Sequence, residues 1–314
     1  MPEISLRAEQ MPASPIRKLV PLADAARARG TKIYHLNIGQ PDLPSPKEGL
    51  ESLKHIDRKV LEYSPSDGYR SLREKLVTYY EQYQIKLSPE EIIVTTGGSE
   101  AVLFAFMSCL NPGDEIIVPE PAYANYMAFA ISAGAVIRPV VASIENGFAL
   151  PPIEEFEKLI TPRTKGILIC NPNNPTGALY PKEILEQIVQ VARENDLILF
   201  ADEIYDRLVM QGEPEHIALA SLAPDLLTLC FNGLSKSHRV AGFRVGWVCL
   251  AGDKSHAKGY IEGLNLLAKM RLCSNVPAQS IIQTSLGGYQ SVDEYLCPGG
   301  RLYEPVSYTH LRAH

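Results

Sequence analysis

The sequence predicts an α/β fold in which helices flank a mostly parallel, seven-stranded sheet. Short apolar runs alternate with amphipathic stretches along most of the 314 residues, and strands separated by helices of this length form βαβ units. We interpret seven apolar runs as buried strands: 92–95, 115–118, 135–141, 166–170, 197–201, 226–231 and 245–250. The clearest helix is expected over 182–195, where one face collects Ile184, Leu185, Ile188, Val189 and Ala192.

Four segments follow from this pattern. Residues 1–44 are rich in proline around one helical stretch and are expected to form an arm that packs over the remainder. Residues 45–280 are expected to form the large α/β domain. The stretch over 255–285 shows a helical pattern without strand signals. Residues 281–305 are expected to form the start of a second, small domain, which is truncated in this sequence.

The last nine residues, 306–314, read V-S-Y-T-H-L-R-A-H and lack hydrophobic periodicity. They resemble the translation of a transposon adaptor used in sequencing libraries. We therefore expect a non-native tail that follows a gene cut off near Glu304 or Pro305, with a native polar tail as the alternative.

Composition and charge exclude several classes of protein. Hydrophobic residues make up 46% and charged residues 21% of the chain, which is ordinary for a globular protein. The net charge is −6 and no basic stripe is present, which argues against a nucleic-acid partner. No apolar run approaches the roughly 20 residues that cross a bilayer, and the first ten residues lack the apolar core of a signal peptide. The sequence thus predicts small-molecule partners and neither a membrane nor a nucleic acid.

The six cysteines predict neither a metal site nor a disulfide framework. They form no C-x-x-C pair, so a zinc ribbon is not expected. Cys170, Cys230 and Cys249 lie in apolar runs and are expected to be small buried residues. This usage favours a reducing cytoplasm over an oxidising compartment.

Polar residues follow several of the predicted strands, where ligands of doubly wound sheets bind. The first strand is followed by T-G-G-S-E-A, which is either a tight turn or an anion-binding helix N-terminus. The fourth is followed by N-P-N-N-P-T-G, and the fifth by Asp202, which is either a helix N-cap or a buried paired carboxylate. The sixth is followed by Lys236, and Arg244 precedes the seventh.

Taken together these residues match one ligand, pyridoxal 5′-phosphate (PLP). Its aldehyde requires a lysine amine, and its ring nitrogen requires a carboxylate to stay protonated. An ion pair of about 4 Å at an effective dielectric constant of about 20 is worth roughly 4 kcal/mol, enough to keep that nitrogen charged at neutral pH. The phosphate requires N–H groups and a guanidinium.

Three motifs identify the chain as resembling the class I/II, fold-type I PLP-dependent aminotransferases. They are N-P-N-N-P-T-G, A-D-E-I-Y and G-L-S-K-S-H-R-V-A-G-F-R-V-G-W, within a similarity that runs from about residue 16 to Glu304. The resemblance implies the fold-type I architecture, PLP as cofactor and a homodimer in the full-length protein.

The resemblance also implies a role for each matching residue. Lys236 matches the lysine that binds the cofactor aldehyde and moves the substrate proton. Asp202 matches the carboxylate on the ring nitrogen, Tyr205 and Asn174 match the donors to the ring oxygen, and Tyr123 matches the stacking ring. Phosphate contacts are implied for Gly98, Ser99, Glu100, Ser235 and Arg244. Tyr63 matches a tyrosine that reaches the partner's phosphate, and Gly39, with Asn174, matches residues that touch the substrate.

Two departures qualify the implied activity. The family binds the substrate carboxylate with an arginine in a C-terminal segment that lies beyond this sequence, and Arg301 is not that residue. We therefore expect cofactor binding with weak transamination, or a fragment that binds cofactor but is inactive. Residues 11–170 resemble bacterial aspartate-type enzymes, whereas 177–304 resemble bacterial glutamate–pyruvate (alanine) aminotransferases. Either a chimera joined near 171–177 or a real intermediate subgroup accounts for this.

The predicted function is transfer of an amino group between an L-amino acid and 2-oxoglutarate. Alanine is favoured because the second half carries Lys236, and aspartate is next. A C–S lyase on the same scaffold is the alternative, since the cofactor supplies the hard chemistry. A regulatory module fused to a DNA-binding domain is disfavoured because residues 1–30 are too short and not basic enough for one. The presence of both Lys236 and Asp202 argues against a pseudo-enzyme.

Overall fold

A single seven-stranded sheet organises the chain in the computed structural model, which describes residues 2–14, 17–35, 39, 43–57, 59–287 and 292–304. The strands are β1 Ile92–Thr95, β2 Glu115–Glu120, β3 Val136–Val141, β4 Thr164–Cys170, β5 Ile198–Asp202, β6 Thr228–Gly233 and β7 Gly246–Ala251. All seven predicted strands are confirmed, each with ends within two residues of those expected. The predicted tail, 306–314, lies outside the described residues.

Helices cover both faces of the sheet. They are α1 Leu6–Gln10, α2 Val20–Ala28, α3 Lys47–Lys54, α4 Arg70–Glu81, α5 Gly98–Cys109, α6 Asn125–Ala133, α7 Ile153–Glu157, α8 Lys182–Glu194, α9 Lys258–Met270, α10 Val276–Gly287 and α11 Asp293–Leu296. The helix expected over 182–195 is confirmed as α8. None of the helices in the described ranges is long and apolar enough to cross a membrane.

Two expected helical stretches are each divided in the structure. The stretch predicted over 255–285 is broken between α9 and α10, where Leu272 adopts a left-handed φ of 74°. Pro277 lies in the first turn of α10, where its missing N–H leaves no helical bond unmade. In the arm, the single expected helix is divided into α1 and α2, with Pro12 between them.

The sheet is parallel except at β7. The strand order is β1-β7-β6-β5-β4-β2-β3, and β7 runs antiparallel to both of its neighbours. The first residue of β7, Gly246, pairs with Thr95 at the end of β1 and with Gly233 at the end of β6. The beginning of β7 therefore lies at the same edge of the sheet as the ends of the parallel strands.

Two hydrophobic clusters bury the faces of the sheet. One joins α4, α8 and α10 to the sheet through residues such as Leu76, Ile188 and Ile281. The other joins α5 and α9 to the opposite face through residues such as Phe106 and Leu264. Cys170, Cys230 and Cys249 are buried among these strands as expected, and all six cysteines are unpaired. Because both faces are covered, bulk solvent reaches the strands chiefly at their ends.

Substitution of Gly246 by alanine tests how closely β7 approaches the turn after β1. A Cβ at this position would lie 2.5 Å from both Gly97 C and Gly98 N, which are backbone atoms that cannot give way. We expect Gly246→Ala to lower the free energy of unfolding by about 1–3 kcal/mol. Gly242→Ala is the control, because its Cβ would meet nothing within 4 Å. Equal urea midpoints for the two variants would contradict this packing.

Candidate active site

The predicted residues that follow β1, β5 and β6 converge at the edge where the parallel strands end. Asp202 is the last residue of β5, Lys236 follows β6 by three residues, and Gly98 begins α5 just after β1. Arg244 precedes β7, so a fully parallel sheet would place it at the opposite edge. It reaches the site because β7 is antiparallel, a feature that the sequence pattern did not specify.

A strand-to-helix turn and an arginine form an anion-binding cradle. Gly97 adopts a φ of 82°, which suits glycine, and it caps the N-terminus of α5. A Cβ on Gly97 would collide with the Arg244 guanidinium, whereas one on Gly98 would meet only Ile204, at 3.9 Å. The free N–H groups of a first helical turn and a guanidinium are the donors that a phosphate requires.

Glu100 has a different part in this cradle from the one the resemblance implies. Its backbone N–H donates to the Gly97 carbonyl oxygen at 3.2 Å. Its carboxylate turns back and accepts from the Thr96 N–H at 2.7 Å. Glu100 therefore fixes the turn, while Gly98 and Ser99 remain as the amides that could face an anion.

The Asp202 carboxylate is 8% exposed, and the donors that it has in the described part of the chain are neutral. Oδ2 accepts from the Tyr126 hydroxyl and Oδ1 accepts from the Ile204 N–H at 3.2 Å. Burial raises the pKa of Asp202, and both of these hydrogen bonds oppose that rise. A cationic ring N–H would add the charge that the buried carboxylate lacks.

Lys236 is half-buried, and its amine lies within the site. Nζ donates to the Gly39 carbonyl oxygen at 2.6 Å and lies 5.9 Å from the centre of the Tyr205 ring. Burial, together with the positive charge of Arg244, lowers the pKa of Lys236. A lowered pKa leaves more of the amine neutral, which is the form that attacks an aldehyde or accepts a proton.

Tyr205 lies near Lys236, and Tyr123 packs beside the tyrosine that holds Asp202. The Tyr123 ring packs edge-on against Tyr126, with 5.3 Å between the ring centres. Burial is the main cause that raises the pKa of Tyr205, and the nearby Asp202 and Tyr123 add to it. Tyr205 is therefore a neutral phenol and a hydrogen-bond donor at neutral pH.

The remaining predicted residues lie around this centre. Ser235 is buried directly before Lys236, and Asn174 is half-buried in the loop after β4. That loop is held by Asn173, whose side chain donates to the Pro121 carbonyl oxygen at 3.1 Å and to the Thr176 hydroxyl at 2.8 Å. Tyr63 is the most exposed of the predicted tyrosines, with 76% of its surface accessible.

Sequence reasoning missed the network that supports the site from behind. Tyr126 follows Tyr123 by three residues, so helical spacing could have paired the two rings, but its bond to Asp202 joins β5 to α6 across the fold. Asp206 accepts from the hydroxyls of Tyr79 and Tyr83 and, at 3.0 Å, from Asn232 Nδ2. Because Asn232 lies on β6 before Lys236, Asp206 ties the Tyr205 turn to the strand that leads to the lysine.

The arrangement fits PLP on observations internal to the structure. A Cβ on Gly97 in the cradle would collide with the Arg244 guanidinium. The buried Asp202 carboxylate has no cationic partner among the described residues, and burial together with Arg244 lowers the pKa of the Lys236 amine. In the described ranges, no cluster of three or more acidic, histidine or cysteine side chains could hold a metal ion. Lys236, Asp202 and the cradle are therefore suited to hold the aldehyde, the ring nitrogen and the phosphate of the cofactor.

Comparisons with known proteins agree with this geometry. The family model described as aminotransferase class I and II matches residues 31–297. The glutamate-pyruvate aminotransferase AlaA of Escherichia coli is 48% identical over 280 residues, which cover 88% of this chain and 68% of that protein. The aspartate/prephenate aminotransferase of Thermus thermophilus is 38% identical over 225 residues, or 71% of this chain and 57% of that protein. A crystal structure of an aminotransferase from Escherichia coli has a TM-score of 0.91 at 44% identity, with 97% of this chain and 76% of that chain covered.

Loss of the Tyr126 hydroxyl is expected to weaken PLP binding. Tyr126→Phe removes a hydrogen bond from the buried Asp202 carboxylate, raises its pKa further and so reduces its hold on a cationic ring. We expect a loss of affinity of about tenfold, from roughly 1.5 kcal/mol for such a bond. Equilibrium dialysis against PLP measures it. The control is Tyr80→Phe, which removes an equally buried hydroxyl that accepts from Trp247; equal losses in the two variants would contradict a specific role for Tyr126.

The neighbouring Glu203 predicts a pH-dependent stability. Burial, with a contribution from the Asp206 carboxylate, raises the pKa of Glu203 from 4.5 to about 8. A raised pKa means that stability is full below the unfolded value and is lost as the pH rises towards 8. Glu203→Gln lacks this loss, so its melting temperature relative to the parent should increase between about pH 5 and pH 8. A difference in melting temperature between Glu203→Gln and the parent that stays constant over that range would contradict the prediction. The control is Glu262→Gln, which changes an exposed carboxylate in the same way.

Proposed function

This chain belongs to the class I and II aminotransferases, which are PLP-dependent enzymes, and on that premise we propose that it moves the amino group of L-alanine to 2-oxoglutarate. The observation that supports alanine is the 48% identity to a glutamate-pyruvate aminotransferase, which covers 88% of the chain and so spans both halves of it. L-Aspartate is the second candidate donor, because the aspartate/prephenate enzyme is 38% identical over 71% of the chain.

PLP, when bound, supplies an aldehyde that takes up an amino group and a ring that delocalises the electron pair left at the substrate Cα. Lys236 would hold that aldehyde through its amine, and once the amine of the substrate has displaced it, the freed Nζ would take the proton from the substrate Cα. Its lowered pKa favours the neutral amine that both steps require.

The other site residues bind and orient. Asp202 keeps the proton on the ring nitrogen, and Tyr126 holds that carboxylate in place. Gly98, Ser99, Ser235 and Arg244 bind the phosphate, and Tyr123 packs against the ring. Asn174 and Tyr205 donate hydrogen bonds to the ring oxygen, and Gly39, with Asn174, lines the space for the substrate.

We propose a homodimer in which Tyr63 completes the partner's phosphate site. Tyr63 is 76% exposed, and the neighbouring Val60 and Leu61 are exposed apolar residues, as expected of a surface that a second subunit covers. Six unpaired cysteines support a reducing, cytoplasmic setting.

The half-reaction with a single amino acid tests the function. With L-alanine alone, the PLP-loaded protein should change the absorbance of its cofactor at the weak rate predicted above, release one pyruvate per site, and then stop until 2-oxoglutarate is added. L-Aspartate gives the competing donor in the same assay. Repeated release of pyruvate and ammonia from an S-substituted cysteine would instead identify a C–S lyase.

Lys236→Ala is the negative control for the half-reaction with L-alanine. It should still bind PLP through the cradle but should lose the absorbance change with alanine, because no amine remains to take the proton. Lys258→Ala removes an exposed lysine on α9 and should behave as the parent does. Full half-reaction activity in Lys236→Ala would refute the assignment of the lysine.

A further inference from the structure

Arg271 is a largely buried arginine that pairs with Glu100, next to the phosphate cradle. It was not predicted from the sequence, and it has no part in the mechanism proposed above. It follows α9 directly, and its side chain is 13% exposed. Nη2 donates to the Val94 carbonyl oxygen, on β1, at 2.6 Å. The guanidinium also lies 5.7 Å from the centre of the Phe104 ring, on α5. Arg271 thus contacts both elements that flank the cradle turn.

The guanidinium is joined to the cradle through Glu100. Arg271 Nε lies 3.0 Å from Glu100 Oε2, and the Glu100 side chain is 20% exposed. The same oxygen accepts from the Thr96 N–H at 2.7 Å. Thr96 precedes Gly97, the residue that contacts the Arg244 guanidinium. A continuous path of contacts therefore runs from Arg271 through Glu100 to the turn.

The charge of Glu100 makes this pairing consequential. A carboxylate in the first turn of a helix is favoured by the helix dipole, but here it lies beside the amides that are proposed to bind a phosphate. An unpaired carboxylate at this position would repel that anion, and the repulsion would be weakly screened because the group is largely buried. Arg271 supplies the opposite charge at 3.0 Å.

The same arginine reaches a second segment of the site. Its Nη2 also lies 3.5 Å from the Ser66 carbonyl oxygen, in the segment that carries Tyr63. Gln279 holds this segment from α10, donating to the Ser64 hydroxyl at 2.9 Å and accepting from the Tyr69 N–H at 3.0 Å. Arg271 therefore links the chain's own cradle to the segment proposed to serve the partner.

We propose that Arg271 is a positioning residue that gives the site its preference for a phosphorylated cofactor. It does so by neutralising Glu100 and by holding the turn 96–98 in its anion-binding form. This inference rests on the proposed cofactor site, because it assumes that the turn binds the phosphate of PLP.

The test compares the affinities of the cofactor-free protein for PLP and for pyridoxal, which lacks the phosphate. In Arg271→Met, PLP binding should weaken at least tenfold while pyridoxal binding changes by less than about twofold, so the ratio of the two affinities falls. Arg271→Lys keeps the charge but loses the planar fork, and it should lie between the parent and Arg271→Met. The double variant Arg271→Met/Glu100→Gln also removes the carboxylate, and it should recover part of the preference for PLP over pyridoxal that Arg271→Met loses.

Arg73→Met is the matched control. Arg73 is also buried and also paired, with Asp67 at 3.0 Å, and the hydrogen bonds of its side chain in the described part of the chain go to the Gly68 and Pro89 carbonyl oxygens rather than to Glu100 or the turn. It should lower the melting temperature without changing the PLP-to-pyridoxal ratio. An unchanged ratio in Arg271→Met, an equal loss for both ligands, or no recovery in the double variant would each overturn the proposal.

The parent protein and the remaining variants distinguish a failure of this inference from a failure of the proposed function. If the parent protein itself fails to prefer PLP over pyridoxal, the cradle assignment is wrong and not merely the role of Arg271. If Arg271→Met does not fold, Arg271→Lys and the double variant carry the decision, because each ratio is measured within one folded protein.

Discussion

The antiparallel pairing of β7 with both β1 and β6 places the parts of the site within reach of one another. Gly246 pairs with Thr95 and with Gly233, so the residue before β7 meets the residues after β1 and β6 at one edge of the sheet. The backbone approach at Gly246 is too close for any side chain. Arg244 is thereby held against Gly97, and the cradle, the lysine and Asp202 face a common space. A parallel β7 would send Arg244 to the far edge and leave the lysine without its cationic neighbour.

The electrostatics follow from this convergence. Burial pushes the pKa of Asp202 up, and burial together with the charge of Arg244 pushes the pKa of Lys236 down, so each group is displaced towards its neutral form. Both shifts disfavour the charged forms in the absence of cofactor. A cofactor would relieve them, because its cationic ring pairs with Asp202 and its aldehyde reacts with the neutral amine of Lys236. The pattern is typical of functional sites, where perturbed titratable groups share a cleft.

Strand positions, and the placement of Asp202 and Lys236 at the strand ends, could be predicted from sequence because each depends on local pattern. The seven apolar runs are short and bounded, and Asp202 and Lys236 lie at fixed distances from them. The supporting residues could not be predicted, since Tyr126 reaches Asp202 from 76 positions away and Arg271 reaches Val94 from 177. Nothing local marks such residues, because their partners are set only when helices dock on the sheet. The break between α9 and α10 was missed for a related reason: it depends on Leu272 taking a left-handed conformation that side chains rarely adopt.

Lys236 Nζ is the amine that we expect to carry the covalent link to PLP. Borohydride reduction of the PLP-loaded protein, followed by proteolysis and mass spectrometry, tests it directly because reduction fixes the cofactor to the nitrogen that holds it. We expect a single modified peptide, with the cofactor mass on Lys236. Labelling of another lysine, or no labelling of a protein shown to bind PLP, would contradict it.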